Sequence, residues 1–319
     1  MNEFDIIKHY FNVHHHRKDV VMGPGDDCAI LQVPANTLLA VSTDTLVSGV
    51  HFFADMDPEA LGHKALAVNL SDLAAMGADP CWVSLALTLP EVDHDWVTQF
   101  CAGFFELAEY YNVALVGGDM TKGPLSITVT VHGTLPEGKG LLRSGAQAGD
   151  AIYVTGTLGD AALGLQQVLG KVSVPDEHQE FVRFKFEHPH PRILVGQALR
   201  DIASSALDLS DGLLGDLAHI CRASGLRAQL EVEHLPLSDA MHASVSQEQG
   251  WELALSGGDD YELCFTVPEL HRGQLDIALG HCGVKFTQVG RMFAGEPSVE
   301  LVHNDEPYQI TGQSWDHFR

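Results

Sequence analysis

The first 135 residues alternate short apolar runs with longer stretches of helical spacing. Residues 37–44, 81–89, 113–119 and 125–135 are apolar or alternating, which predicts four strands. Residues 57–78 and 96–111 predict helices, the first with Asp57 as its N-cap and Pro58 at its first helical position. Two of these strands are predicted to end on an aspartate, at Asp44 and Asp119.

The stretch 136–150 is rich in glycine and polar residues and is the best candidate for a linker. After it the pattern restarts, with a strand, a glycine turn and a helix over 151–169. A strand over 204–209, a helix over 210–224 and a glycine turn leading into a strand over 255–267 follow. We therefore predict an α/β (α+β) protein of two domains, residues 1–137 and 138–319.

The chain is strongly acidic, with 43 Asp and Glu, 18 Lys and Arg, and a formal net charge of -25. This charge argues against nucleic acid and anionic membranes as partners. It suits a protein that carries several divalent cations, and it suits an acidic surface equally well. No apolar run approaches the roughly 18 residues that a membrane span needs.

The six cysteines are scattered without a CxxC pair, and several lie in apolar stretches. This predicts reduced, buried thiols in a cytoplasmic protein. The opening MNEFDIIKHYF does not have the pattern of a secretory signal. The HHH run at 14–16 is a weak metal signal and is predicted to be a surface loop. Zinc is not expected, because no Cys/His spacing matches its usual pattern.

Aspartates recur in short motifs: GDD at 25–27, STD at 42–44, NLSD at 69–72, GGD at 117–119, DLSD at 208–211 and GGDD at 257–260. Lys64 is the only Lys or Arg between Lys18 and Lys122, so local ion pairs cannot neutralise the first four motifs. Each motif alone also suits a turn, and Ser210 or Asp211 would suit a helix cap. Together they predict a site for a cation that the sequence itself does not supply.

Asp72 is the most informative of these aspartates. Its helix has an apolar stripe of Leu66, Leu70 and Leu73, and it is apolar on most of its other side, where Asn69 and Asp72 are the polar exceptions. A helix of this kind is usually buried. Asp72 is therefore predicted to contact a metal or a ligand, the alternative being a structural hydrogen bond.

Oxygen-rich sites favour hard cations such as Mg²⁺, which commonly bridges substrate phosphates. Several Mg²⁺ ions imply a polyphosphate, most simply ATP. The sequence contains no GxxxxGK[ST] motif and no GxGxxG before a VAIK-like strand, which argues against a P-loop or protein-kinase fold.

In their order along the chain, GPGDDCAIL, VSTDTLVSGVHF, NLSDLAAMGADP, VGGD, LDLSDGL and GGDDYELCF resemble the thiamine-monophosphate kinase family. That family belongs to the superfamily of aminoimidazole ribonucleotide synthetase, and the resemblance covers essentially the whole chain. It implies transfer of the γ-phosphoryl group of ATP to thiamine monophosphate, giving thiamine diphosphate in the last step of its biosynthesis. It also implies the two-domain fold of the superfamily and a homodimer whose N-terminal domains join their sheets into a shared β-barrel.

Carried over to matching positions, the resemblance implies three sets of binding residues. The expected Mg²⁺ ligands are Asp27, Ser42, Thr43, Asp44, Asp72, Asp119, Asp208 and Asp211. The expected ATP contacts are Gly118, Asp119, Arg143 and Ser210. The expected contacts to thiamine phosphate are His51, Asp259 and Trp315, with Asp259 standing where the family usually has Glu.

We expect no side chain to act as a general base, because the acceptor phosphate is already anionic. Two alternatives remain open at this stage: another ATP-dependent synthetase of the superfamily, or a non-catalytic acidic metal-binding protein. The chain lacks a reactive cysteine near a glycine-rich N-terminus and ends in SWDHFR, unlike synthetases of the superfamily that use cysteine. Its aspartates are also dispersed, whereas a metal-binding loop such as DxDxDG is contiguous.

Overall fold

The structure is a computed structural model that describes residues 3–11 and 17–312. The HHH run at 14–16 and Trp315 lie outside the described residues. The chain divides into two compact units, one of Met1–Leu73 and Ala78–Gly138, the other of Ala74–Gly77 and Lys139–Arg319.

The described part of the first unit contains a two-stranded ribbon, a four-stranded sheet and two long helices. The strands are β1 (Val20–Met22), β2 (Ile30–Leu31), β3 (Thr37–Val47), β4 (Asp79–Leu89), β5 (Ala114–Lys122) and β6 (Ser126–Pro136). The helices are α1 (Glu3–Ile6), which runs into a π-helix over Ile7–Phe11, then α2 (Pro58–Ala75) and α3 (His94–Tyr110).

The four-stranded sheet has the order β3-β6-β4-β5, with β4 and β5 parallel and the other neighbours antiparallel. One face of the sheet is buried, and in β6 it presents Ile127, Val129 and Val131. The alternate residues of β6, from Thr128 to His132, are only partly buried. The sheet is therefore apolar on one side and more open on the other, as a period of two residues predicts.

The predicted helices and strands of this half are confirmed. Asp57 caps α2 by accepting a hydrogen bond from the Glu59 N–H to its Oδ1 at 2.9 Å. The helix is buried over most of its length, as its apolar circumference predicts. The prediction that Asp44 and Asp119 end their strands is wrong, because β3 continues to Val47 and β5 to Lys122.

The second unit contains a seven-stranded sheet with helices. Its strands are β7 (Ala151–Thr155), β8 (Ser205–Asp208), β9 (Arg227–Glu231), β10 (Leu263–Val267), β11 (Phe286–Phe293), β12 (Ser298–His303) and β13 (Glu306–Tyr308). Its α-helices are α4 (Asp160–Val168), α5 (Asp176–Glu187), α6 (Ile193–Leu199), α7 (Leu213–Ser224), α8 (Asp239–Ser244), α9 (Gln247–Ser256) and α10 (Leu275–Leu279). The described part of this unit also contains two 3-10 turns, Val232–His234 and Glu269–Gln274.

This sheet has the order β13-β12-β9-β11-β7-β10-β8, in which only β12 and β9 are parallel neighbours. The central strands β7 and β10 are buried along their whole length. The predicted strand, turn and helix over 151–169 are confirmed as β7 and α4, and the predicted elements over 204–224 as β8 and α7. The edge strand β8 ends at Asp208, the first residue of the DLSD motif, and the rest of the motif forms the turn that leads to α7.

All six cysteines are free, but the prediction that they are buried is wrong for Cys28, which is exposed, while Cys282 is partly buried. Among the described residues, the helices are all too short or too polar to cross a membrane.

Candidate active site

In the first unit, predicted ligands from β3 and α2 lie side by side. The Ser42 hydroxyl donates a hydrogen bond to Asp72 Oδ2. The Asp44 N–H donates to Asn69 Oδ1 at 2.9 Å. Asn69 and Asp72 are three residues apart on α2 and therefore share one helix face. The two polar exceptions of this apolar helix thus both point to β3, and they bring Asp72 close to Asp44.

The two carboxylates repel each other in this setting. Burial, and next to it the negative charge of Asp72, raise the pKa of Asp44 to about 6. A divalent cation with oxygen ligands would relieve this repulsion, and the Ser42 hydroxyl adds a neutral oxygen of the kind that Mg²⁺ accepts. Within residues 3–11 and 17–312, no three His, Cys, Asp or Glu side chains form a ready metal cluster. The pair therefore fits a Mg²⁺ ion that takes its remaining ligands from water or substrate phosphate.

Thr43 lies between these ligands in sequence but on the opposite face of β3. Its Oγ1 is 2.9 Å from Thr130 Oγ1 on β6. Because side chains alternate along a strand, the Thr43 hydroxyl points away from Asp44. The Thr43 hydroxyl therefore does not face a cation held beside Asp44.

Asp119 lies on the other face of the sheet from Asp44. In the sheet register Asp119 pairs with Ala86, Ala86 with Thr128, and Thr128 with Thr45. Thr45 follows Asp44 on β3, so its side chain and that of Asp119 point to the face opposite Asp44. The sheet thus separates Asp119 from the Asp44–Asp72 pair. The preceding Gly118 lies against β4, where a Cβ would fall 1.8 Å from the Leu85 carbonyl oxygen, so only glycine fits.

Two further predicted residues of this unit lie in turns. Asp27 is exposed, and its N–H donates to Asp26 Oδ1 at 2.8 Å. His51 is partly buried, and its Nδ1 accepts the Val47 N–H at 3.0 Å. That bond fixes the imidazole ring at the end of β3.

In the second unit, the DLSD and GGDD motifs form one structure although about 50 residues separate them. Asp208 is buried at the end of β8, opposite Leu263 of β10. The Asp259 N–H donates to the Ser210 carbonyl at 2.9 Å, and the Tyr261 N–H donates to the Leu209 carbonyl at 2.8 Å. The two loops therefore run alongside each other at the edge of the sheet.

Asp216 organises the DLSD turn. Its Oδ2 accepts the N–H groups of Ser210 and Asp211, each at 3.0 Å. Burial raises the pKa of Asp216 to about 7, against the lowering effect of these hydrogen bonds. The N-cap of α7 is Gly212, so the alternative interpretation of Ser210 or Asp211 as a helix cap does not hold. The role of Asp216 in organising this turn was not predicted from the sequence, and the signal for it is an acidic residue in the first turn of a helix.

Arg143 supplies positive charge near this turn. Its charge opposes the raised pKa of Asp216. It also contributes, after burial and Arg222, to the lowered pKa of His219. The Ser224 hydroxyl donates to the Arg143 carbonyl at 3.3 Å, which ties the 139–145 stretch to α7. A positive charge from outside this stretch of sequence thus acts on Asp216.

Asp259 has a left-handed backbone, with φ 68°, and Tyr261 has φ 49°. The Tyr261 hydroxyl donates to Asp259 Oδ1 at 3.3 Å. Aspartate enters this region of φ/ψ space more readily than most residues with a Cβ. The conformation is therefore one that Asp259 can adopt.

Residues 25–135 match the family described as AIR synthase related protein, N-terminal domain, and residues 147–302 match its C-terminal domain. The two matches cover most of the chain. Together with the two sheets and the carboxylates placed beside them, they define the class: an AIR synthase related protein.

Among its relatives, thiamine-monophosphate kinase of Escherichia coli (strain K12) is 53% identical over 99% of this chain and 98% of its own length. The crystal structure of thiamine-monophosphate kinase from Stenotrophomonas maltophilia K279a is similar with a TM-score of 0.86 and 43% identity, covering 92% of this chain and 93% of that one. The structure of AaThiL complexed with AMPPCP and TMP has a TM-score of 0.78 and 31% identity, covering 92% and 91%. The chain belongs to the thiamine-monophosphate kinase family.

Proposed function

We propose that this protein transfers the γ-phosphoryl group of ATP to the phosphate of thiamine monophosphate, giving thiamine diphosphate and ADP. The observation that carries the proposal is its identity of 53% with the Escherichia coli kinase over nearly the full length of both chains. The complex of AaThiL with AMPPCP and TMP, a relative that covers 92% of this chain, supports it.

The residues of the chain fit a transfer in which no side chain removes a proton. The acceptor is a phosphate monoester that already carries negative charge, so the barrier is repulsion between the two phosphate groups. When bound, Mg²⁺ ions would neutralise this charge and align acceptor and donor for in-line transfer. In the first unit Asp44 and Asp72 would hold such ions, and in the second unit Asp208 and Asp211 would do so.

The remaining members of the proposed ligand set have different degrees of support. Ser42 shares a hydrogen bond with Asp72, and Thr43 would use its main-chain oxygen. Asp27 and Asp119 belong to the set through the family resemblance. The proposed ATP contacts are Gly118, Asp119, Arg143 and Ser210, and the proposed contacts to thiamine monophosphate are His51, Asp259 and Trp315.

We further propose a homodimer in which the first units of two chains join their sheets into a β-barrel. β3 is an edge strand of the sheet, and it exposes Leu39 (46%) and Val41 (55%) on the open face. An uncovered edge strand with exposed apolar residues is a template for pairing with another chain.

The free cysteines support a location in a reducing compartment, the cytoplasm.

The test is ADP release from purified protein with Mg²⁺ and ATP, with and without thiamine monophosphate, together with detection of thiamine diphosphate. We expect ADP and thiamine diphosphate to form in equal amounts, and only when the acceptor is present. ADP release at the same rate with and without thiamine monophosphate would point to another synthetase of the superfamily. Binding of Mg²⁺ without any turnover would point to a non-catalytic metal-binding protein.

A further inference from the structure

A buried ion pair involves Glu262, the last residue of the loop 257–262, which connects α9 to β10. Glu262 is 2% exposed, and the side chain of Arg192 is 12% exposed. Arg192 Nε lies 2.7 Å from Glu262 Oε2, and Arg192 Nη2 lies 2.5 Å from Oε1. Two parallel hydrogen bonds of this kind fix the orientation of the carboxylate relative to the guanidinium and also add attraction. Arg192 itself is the residue before α6, so the pair joins two segments that are distant in sequence.

Three other groups surround the Glu262 carboxylate. The Thr155 hydroxyl donates to Oε2 at 2.6 Å, and Lys185 Nζ lies 3.8 Å from Oε1. Thr155 Oγ1 in turn accepts the Leu263 N–H at 2.9 Å. A Cβ at Gly156 would fall 2.2 Å from Oε1, so the chain leaves this space to the carboxylate. The position of Glu262 is therefore defined from several sides.

The loop that Glu262 ends is strained, above all at Tyr261. Asp259 and Tyr261 both have positive φ, which side chains with a Cβ adopt rarely. Strain of this kind persists only where the surroundings hold it, and it is concentrated at functional sites. The loop is attached to the DLSD turn through backbone hydrogen bonds, and the Glu262 carbonyl accepts the Leu209 N–H at 2.8 Å. The Arg192–Glu262 pair fixes the end of the loop next to these bonds.

We propose that Arg192 is a positioning residue for the acceptor substrate: through Glu262 it holds the loop 257–262 in the conformation that presents Asp259. The inference rests on the proposed function, because Asp259 is the proposed contact to thiamine monophosphate. In this arrangement Arg192 would act through Glu262 and Asp259 and not directly on a reacting group. Its effect is expected on the acceptor side of the reaction and not on ATP.

The main test is Arg192→Lys, which keeps the charge beside Glu262 and removes the planar fork. Arg192→Gln would leave a buried carboxylate with less compensation and endanger folding, so it is the less suitable variant. Arg227→Lys is the matched control, because Arg227 Nη1 lies 2.9 Å from both carboxylate oxygens of Glu300 in the same unit. Melting of all variants is measured first.

We expect Arg192→Lys to lower kcat/KM for thiamine monophosphate about 10- to 100-fold, the order of loss that misplacement by about 1 Å causes. The KM for ATP and all constants of Arg227→Lys should stay within about twofold of wild type. Without substrates, hydrogen exchange of the 257–263 peptide should be faster in Arg192→Lys, since the amides of Asp259 and Tyr261 are held in this loop. Unchanged exchange or an unchanged kcat/KM would overturn the inference.

A double-mutant cycle with Asp259→Ala separates positioning from a general structural role. If Arg192 acts through Asp259, adding Arg192→Lys to Asp259→Ala should cause no further loss. If the two losses multiply, Arg192 acts elsewhere and the inference is wrong. The wild-type reaction in the same assay distinguishes the two proposals: no turnover of thiamine monophosphate by wild type refutes the proposed function and this inference with it, whereas normal wild-type turnover with unaffected variants refutes this inference alone.

Discussion

Replacing Asp72 with Asn tests the metal assignment most directly. The change nearly preserves size, and the amide oxygen can still accept the hydrogen bond from Ser42. The variant removes the negative charge of residue 72, which lies close to Asp44. If Asp72 is only a hydrogen-bond acceptor, Asn should replace it with little effect. If Asp72 holds Mg²⁺, the loss of charge should affect the metal-free and the metal-bound protein in opposite directions.

The metal-free effect follows from the pKa of Asp44. Burial and Asp72 raise that pKa from 3.8 to about 6, which corresponds to about 3 kcal/mol against the charged form. Burial is the larger cause, and the carboxylate is partly exposed, so the share of Asp72 after solvent screening is about 1 kcal/mol. Metal-free Asp72→Asn should then melt about 2–4 °C above wild type at pH 8.

The sign of the pH dependence is also defined. Because the folded-state pKa of Asp44 is raised, its contribution to stability is fully present below its unfolded pKa near 4 and is lost as pH rises through about 6. The advantage of Asp72→Asn should therefore be small at pH 4.5 or so and should grow as pH rises through about 6. Thermal melting in chelator across this range measures it.

The activity should change in the other direction. Losing one electrostatic element that acts on the transition state typically costs about 10²–10³ in kcat, or roughly 3–4 kcal/mol. Steady-state kinetics at saturating Mg²⁺, ATP and thiamine monophosphate give this value. A kcat within a few-fold of wild type would refute the metal role of Asp72. Melting in the same buffer ensures that lost activity is not lost folding.

Three further outcomes are expected. Activity should require Mg²⁺ or Mn²⁺ and disappear in excess chelator while circular dichroism still reports a folded chain, and persistent turnover in chelator would contradict the metal assignment. Free thiamine should be a poor acceptor, because its hydroxyl needs a base and it lacks the phosphate, so equal rates with thiamine and thiamine monophosphate would refute the proposed chemistry. Trp315→Ala should raise the KM for thiamine monophosphate more than the KM for ATP, by about 2- to 10-fold if an aromatic contact of roughly 0.5–1.5 kcal/mol is lost, whereas an unchanged KM would remove Trp315 from the site.

Local pattern was sufficient for the helices and strands that carry the aspartates. The buried helix α2 follows from its apolar circumference, and its start follows from Asp57 and Pro58. The same reasoning singled out Asn69 and Asp72 as polar residues on a buried helix. These inferences succeed because periodicity and capping depend on neighbours within one or two turns.

The amino-acid sequence by itself thus determined the two-domain α/β class, the family, and the list of carboxylates. It did not determine which of these share a face. Thr43 and Asp44 are adjacent in sequence yet point to opposite sides of β3, and only the strand register with β6 shows which side meets α2.

Contacts between distant segments were decided by the tertiary structure alone. The DLSD and GGDD loops are joined by backbone hydrogen bonds, and backbone groups carry no signal in side-chain pattern. Arg192 reaches Glu262 across 70 positions, and no local rule pairs an arginine before one helix with a glutamate before a strand. The physical reason is that burial of a charge must be compensated in three dimensions, and the compensating group can come from anywhere in the chain.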